Sequence, residues 1–350
     1  MLSARTETIL KSIVSKYIAQ AVPVPSQGIA NAPELGVSSA TIRNEMARLE
    51  QEGYIIRTHP SAGSIPSDKG YRYYVESLRE VRLSLSEQRL ISHLFHQVER
   101  ELEKWLSLAA TLLAQQVQNM AVVTLPKPID CRFKHLELVA LQDSLALVVL
   151  VLHGAKVKQQ LIIFDQVVAQ PELTTMANKL NAAYSGLTSR QISAKDLDLY
   201  FAEQQITDLL LNMMKTEDEQ EYEEPYLDGW HFILNQPEFT HSHQMLDLME
   251  LVEHRNLLKN IIPKGLGSHK VQVVIGRENR DEAFHNCSVV ISKYGVPDEA
   301  VGTVSVLGPT RMPYAHTIST VGYLSSVLSK LVAGLYGREI PVRTIQQDTN

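Results

Sequence analysis

Apolar positions near the start of the chain recur at helical spacing. Ile9, Leu10, Ile13, Val14, Tyr17 and Ile18 form one stripe over residues 4–20, which predicts an amphipathic helix. The prolines of AVPVPS end it. Ser26 is placed to cap a short second helix over 27–31, and PELGV reads as a turn. Ser38 then caps a third helix over 39–52, which Gly53 closes at a position suited to left-handed backbone. Tyr54–Arg57 predicts a short strand, HPSAGSIP a turn with a return strand through Ile65, and Ser67 a cap for another helix. Three short helices, a strand, a glycine-containing tip and a return strand make a winged helix-turn-helix.

Residues 84–119 read as one long helix, with Ser84 and Glu87 at capping-box spacing. From residue 121 the pattern changes to strands: AVVTL, KHLELVAL, LALVVLVL and KVKQQLIIF. Their separators QDS and HGA are tight-turn chemistry, so an antiparallel meander is expected. A helix follows from Glu172 to Tyr184, and 190–262 reads as helical apart from an acidic run. After Gly265-Leu266-Gly267 the strands VQVVIG, CSVVISKY and GTVSVLG precede a last helix over His316–Tyr336. Strands, a helical block and strands again predict an α+β domain with a helical insertion.

Length supports this division, since 350 residues exceed one compact core. An apolar share of 44% with 21% charged residues excludes disorder, collagen and a disulfide scaffold as descriptions of the whole chain. Two cysteines, Cys131 and Cys287, fit free buried thiols in a reducing compartment. The N-terminus lacks the uninterrupted apolar core of a signal peptide. The longest apolar run, Leu145–Leu152, is too short to span a bilayer, so the expectation is a cytoplasmic protein with no membrane role. The net charge of -6 argues at first against nucleic acid, but its distribution does not. Residues 1–82 hold ten Lys and Arg against eight Asp and Glu, a balance of +2, which leaves -8 for the rest. Much of that lies in the acidic run, Thr216–Glu224.

The third helix carries the sharpest chemical signal. Ile42, Met46 and Leu49 must face a core, which leaves Ala40, Asn44, Ala47, Arg48 and Gln51 on the opposite side and Arg43 on the flank. Small alanines allow close approach to bases. Asn44 can bond an adenine edge twice, and Arg43 or Arg48 can pair with guanine or hold phosphate. The N-terminal part of such a helix reaches base edges, so Ser39, Ala40, Thr41, Arg43 and Asn44 are the candidate groove residues, with the capping Ser38 a further DNA-binding candidate and Arg48 a phosphate contact. The bland alternative is a solvated amphipathic helix; the order helix-helix-helix-strand-turn-strand argues against it.

These residues carry a family resemblance. GVSSATIRNEMARLEQEGYI followed by HPSAGSIPSDKGYRYYV, and later VVIGREN, CSVVISKYG and GPTRMPY, resemble the heat-inducible transcription repressors of the HrcA family. KHLELV and ALVVLV match it more loosely. The resemblance implies an α+β multidomain fold: a winged helix over 1–82 and a GAF-like domain with an antiparallel sheet over 83–189 and 265–340. It also implies a mainly helical dimerisation domain inserted over 190–264, and 341–350 is left as a tail. It further implies a homodimer that represses chaperone operons through an inverted-repeat operator in double-stranded DNA, releases it on heat shock, and has the GroE chaperonin as partner.

Two departures remove positive charge near DNA. The family usually has arginine where this chain has Ser64, and a basic residue where it has Gln27. Arg57, His59, Lys69 and Arg72 are the candidates to compensate, and a shallower salt dependence of binding than a fully basic homologue would show is expected. No phosphate-binding loop, HExxH motif or close cysteine pair occurs, so no enzyme, cofactor or metal is expected. His231, His241, His243 and His254 lie in a polar stretch without cysteine, and Glu278, Asp281 and Glu282 read as a solvated loop. GPTRMPY reads as a structural strand-to-helix turn. A small-molecule-gated regulator sensing through the GAF-like domain is the rival function, an expectation from fold analogy alone.

Overall fold

The computed structural model describes residues 2–30, 38–57, 63–78, 81–99, 101–127, 131–153, 157–219, 225–239, 271–296, 300–335 and 337. The chain forms two compact units: residues 1–125, 223–295 and 302–350 in the first, and residues 126–222 and 296–301 in the second.

The first unit opens with α1 (Ala4–Gln20), α2 (Ser26–Ala30) and α3 (Ser39–Gln51), then β1 (Ile55–Arg57), β2 (Ser64–Pro66) and α4 (Asp68–Ser77). Ser3, Ser38 and Ser67 cap α1, α3 and α4 as their hydroxyls accept from the backbone N–H three residues on. Ile9, Leu10, Ile13 and Val14 bury the inner stripe of α1 beside Ile29, Ile42, Met46 and Leu49. The wing is antiparallel, pairing Ile55 with Pro66, Ile56 with Ile65 and Arg57 with Ser64. Val24 adds a bridge to Ser64 through two backbone hydrogen bonds of 2.9 and 3.0 Å. The expected turn at 33–37 and the wing tip at 58–62 lie outside the described residues.

The long helix expected over 84–119 is two helices, α5 (Leu85–Gln97) and α6 (Leu102–Val117). The apolar phase runs straight through the break by way of Ile91, Phe95, Val98, Leu102 and Trp105, so periodicity does not reveal it. The Ser84–Glu87 capping box forms as expected. After α6 comes β3 (Met120–Val123), buried at all four positions.

The chain then builds the second unit: β4 (Phe133–Gln142), β5 (Leu145–Leu152), β6 (Val157–Ile163), α7 (Gln170–Tyr184), α8 (Ser189–Ser193) and α9 (Phe201–Glu219). The strands form an antiparallel meander, in which Val139 faces Leu147 and Leu147 faces Leu161. One sheet face is core, where Leu136, Leu138, Val148 and Leu150 meet Leu173, Leu180 and Tyr184 of α7, Ile192 of α8, and Ile206, Leu210 and Met214 of α9. This core spans residues on both sides of position 189/190. One expectation is corrected: β3 does not belong to the meander but to another sheet.

The chain returns to the first unit with β7 (Tyr226–Asp228), α10 (Trp230–Leu234), β8 (Gln272–Ile275), β9 (Cys287–Val296), β10 (Ala300–Pro309) and α11 (Tyr314–Leu335). Among the described residues the sheet order is β7-β3-β10-β9-β8. β3 and β7 are antiparallel neighbours, so the second unit interrupts the chain between two paired strands. The second compact unit thus begins near residue 126, where the meander and helices α7–α9 bury one another. β7 was not expected at all: three residues beside an acidic run carry too little pattern. α11 is long and apolar enough to cross a membrane by length and composition. Here Val321, Leu324, Leu328 and Val332 are fully buried, so it is the core helix of its unit.

Candidate nucleic-acid interface

The sequence of α3 fixes which side it shows. Ile42 and Leu49 are wholly buried and Met46 is nearly so, one apolar turn after another. Ser38, Ser39, Ala40, Arg43, Asn44, Ala47 and Arg48 are exposed, and Thr41 is half-buried. Thr41 is tied into the cap, its hydroxyl 3.0 Å from Ser38 Oγ. Arg43 and Asn44 have no hydrogen-bond or ion-pair partner among the described residues. The first two turns of α3 therefore present a shallow ridge of small side chains with one free guanidinium and one free amide.

Two neighbours hold the helix in this orientation. Thr6 on α1, fully buried, donates to Glu45 Oε2 at 2.8 Å. At the far end Lys69 Nζ donates to Glu52 O at 2.7 Å, a cation on a helix C-terminus. Lys69 also stands 4.2 Å over the Tyr54 ring, which meets Tyr73 edge-on at 5.7 Å. Gly70 is required here, because a Cβ would collide with Tyr54 O.

The predicted basic contacts do not all converge on the ridge. Arg48 Nε pairs with Glu52 at 2.8 Å, and the Glu52 carboxylate holds its guanidinium further toward the charged form. Arg57 pairs with Glu50 at 3.4 Å. Both pairs are substantially exposed, so they are weak and exchangeable. Lys69 is used in capping α3. Arg72 points to the body of the first unit, donating to Val273 O at 2.7 Å and pairing with Glu278. His59 lies outside the described residues. Gln27 is exposed, but Ser64 is completely buried at the wing base and its hydroxyl lacks a partner among the described residues.

Three features escaped sequence reasoning. Thr6 lies outside the apolar stripe of α1 and no local pattern marks it. Lys69 read as a free cation, although its place in the first turn of a helix that follows a wing is a signal for packing on Tyr54. Glu278 read as solvated, but it faces Arg72, 206 positions away in sequence, which no local pattern reveals. GPTRMPY is the expected strand-to-helix turn: Arg311 pairs with Glu238, and Tyr314 donates to Thr310 O at 2.6 Å. Of the four histidines, His231 lies against the adjacent Phe232 ring, centroids 3.9 Å apart and planes tilted by 45°, while His241, His243 and His254 lie outside the described residues. Among the described residues no cluster of metal-ligating side chains occurs.

An exposed helix face of this make fits a major groove. Small residues permit approach, an amide and a guanidinium supply edge hydrogen bonds, and exchangeable Arg–Glu pairs can be traded for phosphate. Residues 29–68 match the model of the DeoR-like helix-turn-helix domain, and residues 103–318 match that of the HrcA protein C-terminal domain. A heat-inducible transcription repressor HrcA of Dehalococcoides mccartyi is 54% identical over 338 residues, covering 97% of this chain and 98% of that protein. The corresponding repressor of Herpetosiphon aurantiacus is 40% identical, covering 96% of this chain and 97% of its own. A crystal structure described only as that of a hypothetical protein superposes with a TM-score of 0.56 at 23% identity, covering 95% of this chain and 99% of that one, a likeness of fold.

Proposed function

Because this chain belongs to the HrcA family of heat-inducible transcription repressors, we propose that it binds an inverted-repeat operator as a homodimer, one α3 in each half-site, and so represses chaperone operons until heat removes it. It is a cytoplasmic DNA-binding repressor and not an enzyme. The observation that carries the reading is the α3 ridge, with Arg43 and Asn44 unpaired beside Ser39 and Ala40 and the apolar side locked inside. In the proposed complex Asn44 and Arg43 read base edges, Ser38, Ser39 and Thr41 approach the backbone, and Arg48 and Arg57 leave Glu52 and Glu50 for phosphates.

The homodimer is supported by the second unit. The β4–β6 face turned away from its core is largely apolar: Val139, Leu141, Val157, Leu161 and Ile163 are exposed and Leu145, Leu147, Val149 and Val151 half-buried, with His135, Glu137 and Gln159 as its polar members. Three strands of about seven residues give roughly 340 Å² of projected area. A contiguous apolar patch of that size on a monomer is usually a functional contact. A second copy is the proposed occupant, since an inverted repeat demands a twofold pair of readers. In this reading residues 126–222 serve as the dimerisation element, and the five-stranded sheet with α6 and α11 takes the part of the GAF-like domain. When heat separates the copies this face becomes exposed, which is chaperonin-binding chemistry and supports GroE as partner. Repressors of marginal stability lose several-fold in active fraction for ~1–2 kcal/mol, so no separate thermosensor is required.

The test is selection of DNA by the full-length protein from a pool of randomised duplexes. Recovery of an inverted repeat whose binding weakens as salt rises is expected. Recovery of no common sequence, or salt-insensitive binding, would refute the proposal.

A further inference from the structure

We infer that the junction between α4 and the body selects the half-site spacing of the operator, with Arg72 and Glu278 as its positioning pair; this rests on the dimeric operator reading above. α4 works as a lever with two gripped faces. On one, Lys69 and Tyr73 hold Glu52 and Tyr54 at the exit of α3, and Ser67 Oγ adds a hydrogen bond to Gly53 O at 2.6 Å. On the other, Asp68 and Arg72, one turn apart, engage the loop after β8. Asp68 accepts from Arg277 N at 3.0 Å. Arg72 Nε donates to Glu278 Oε1 at 2.8 Å, and Nη2 donates to Val273 O and Glu278 Oε2.

The receiving loop is shaped for this. Ile275 N donates to Glu278 Oε2 at 2.8 Å, so the carboxylate is oriented before Arg72 arrives. Gly276 has φ +52, and a Cβ there would run into the Asp68 carboxylate, so only glycine allows both the turn and the approach. Tyr71, 2% exposed, packs its ring against Tyr314 at 5.9 Å. A bidentate guanidinium–carboxylate pair fixes direction as well as distance.

The consequence is geometric. A dimer reading two half-sites must hold its two reading helices at a set separation and rotation. Inserting two base pairs moves one half-site by about 7 Å and turns it by about 70° about the DNA axis. A reading head clamped to its body cannot follow, and a head freed at α4 can. Arg72 thus acts through position, without touching DNA.

The experiment uses the full-length protein and the inverted repeat it selects, with the spacer native or changed by two base pairs. Wild type is expected to lose about tenfold or more in affinity on the changed spacer, and Glu278→Ala less than about threefold. The charge-swapped Arg72→Glu/Glu278→Arg is expected to regain most of the wild-type discrimination. Base preference at the position read by Asn44 should be equal in all three. Undiminished spacing discrimination in Glu278→Ala overturns the inference, as does a wild type indifferent to spacing. If Glu278→Ala binds neither duplex, Glu278→Gln is read in its place by the same criterion. A wild type that selects no inverted repeat refutes the operator reading itself.

Discussion

Thr6 on α1 donates its hydroxyl to the Glu45 carboxylate on α3 at 2.8 Å, and this is a polar tie within an otherwise apolar helix contact. Thr6 is fully buried and its hydroxyl also lies 2.6 Å from Ser3 Oγ. Glu45 sits between Asn44 and Met46, so the tie sets the roll of α3 about its axis. Thr6→Val preserves shape and removes the donor. It is expected to cost about 1–2 kcal/mol, because Glu45 is only half-buried and water can replace the bond in part. Denaturant unfolding checks the loss, and discrimination between operator and random DNA should fall as the roll loosens.

The pairs Arg48–Glu52 and Arg57–Glu50 make the protein its own competitor for phosphate. Glu50→Gln and Glu52→Gln should each raise operator affinity at low salt. Each cation newly committed to a phosphate steepens the log–log salt slope by ~0.9. Titrations at a series of salt concentrations read both effects. The expected shallow slope thus has a concrete source in internal ion pairs, whereas Ser64, wholly buried, is not an open place for a phosphate contact.

The outer face of the meander can be disrupted without touching its core. Leu161 is 55% exposed and Leu147 stands opposite it in register. Leu161→Glu should leave the fold of a free chain intact and shift sedimentation from dimer to monomer, with operator affinity falling in parallel. A dimer unchanged at micromolar concentration would place the interface elsewhere.

Acid should act at the head of α5. The Ser84 hydroxyl bonded to Glu87 holds that carboxyl below the usual carboxylate range, with His316 adding to the effect. A depressed folded pKa gives stability that is present above the unfolded carboxyl value of about 4.3 and is lost as pH falls through the folded value. Glu87→Gln should therefore lower the melting temperature near neutral pH and match wild type in strong acid. Thermal melts of both proteins across that range test the sign.

Local pattern made the described helices and strands of the N-terminal head legible, because its caps at Ser38 and Ser67 and its apolar stripes are short-range signals. The helix break after Gln97 was not legible, since Val98 and Leu102 continue the apolar phase. Nor was the partition of strands: β3 and β4 are consecutive in sequence, but β3 pairs with β10 and β7. Long-range pairing is decided by which faces bury one another, which the chain order does not state. The same holds at the site. The exposed edge of α3 follows from Ile42, Met46 and Leu49, whereas the pairing of Arg72 with Glu278 is a tertiary contact that no local pattern reveals.

The most direct test of the account is a contact analysis at Asn44. Affinities of wild type and Asn44→Ala are measured on the selected operator and on operators carrying each single base change. Wild type should lose about 1–3 kcal/mol at one symmetric position, and Asn44→Ala should bind the intact operator more weakly by a similar amount while becoming indifferent to that position alone. If Asn44→Ala retains full affinity and the same preference at every position, α3 does not read the operator and the account is wrong.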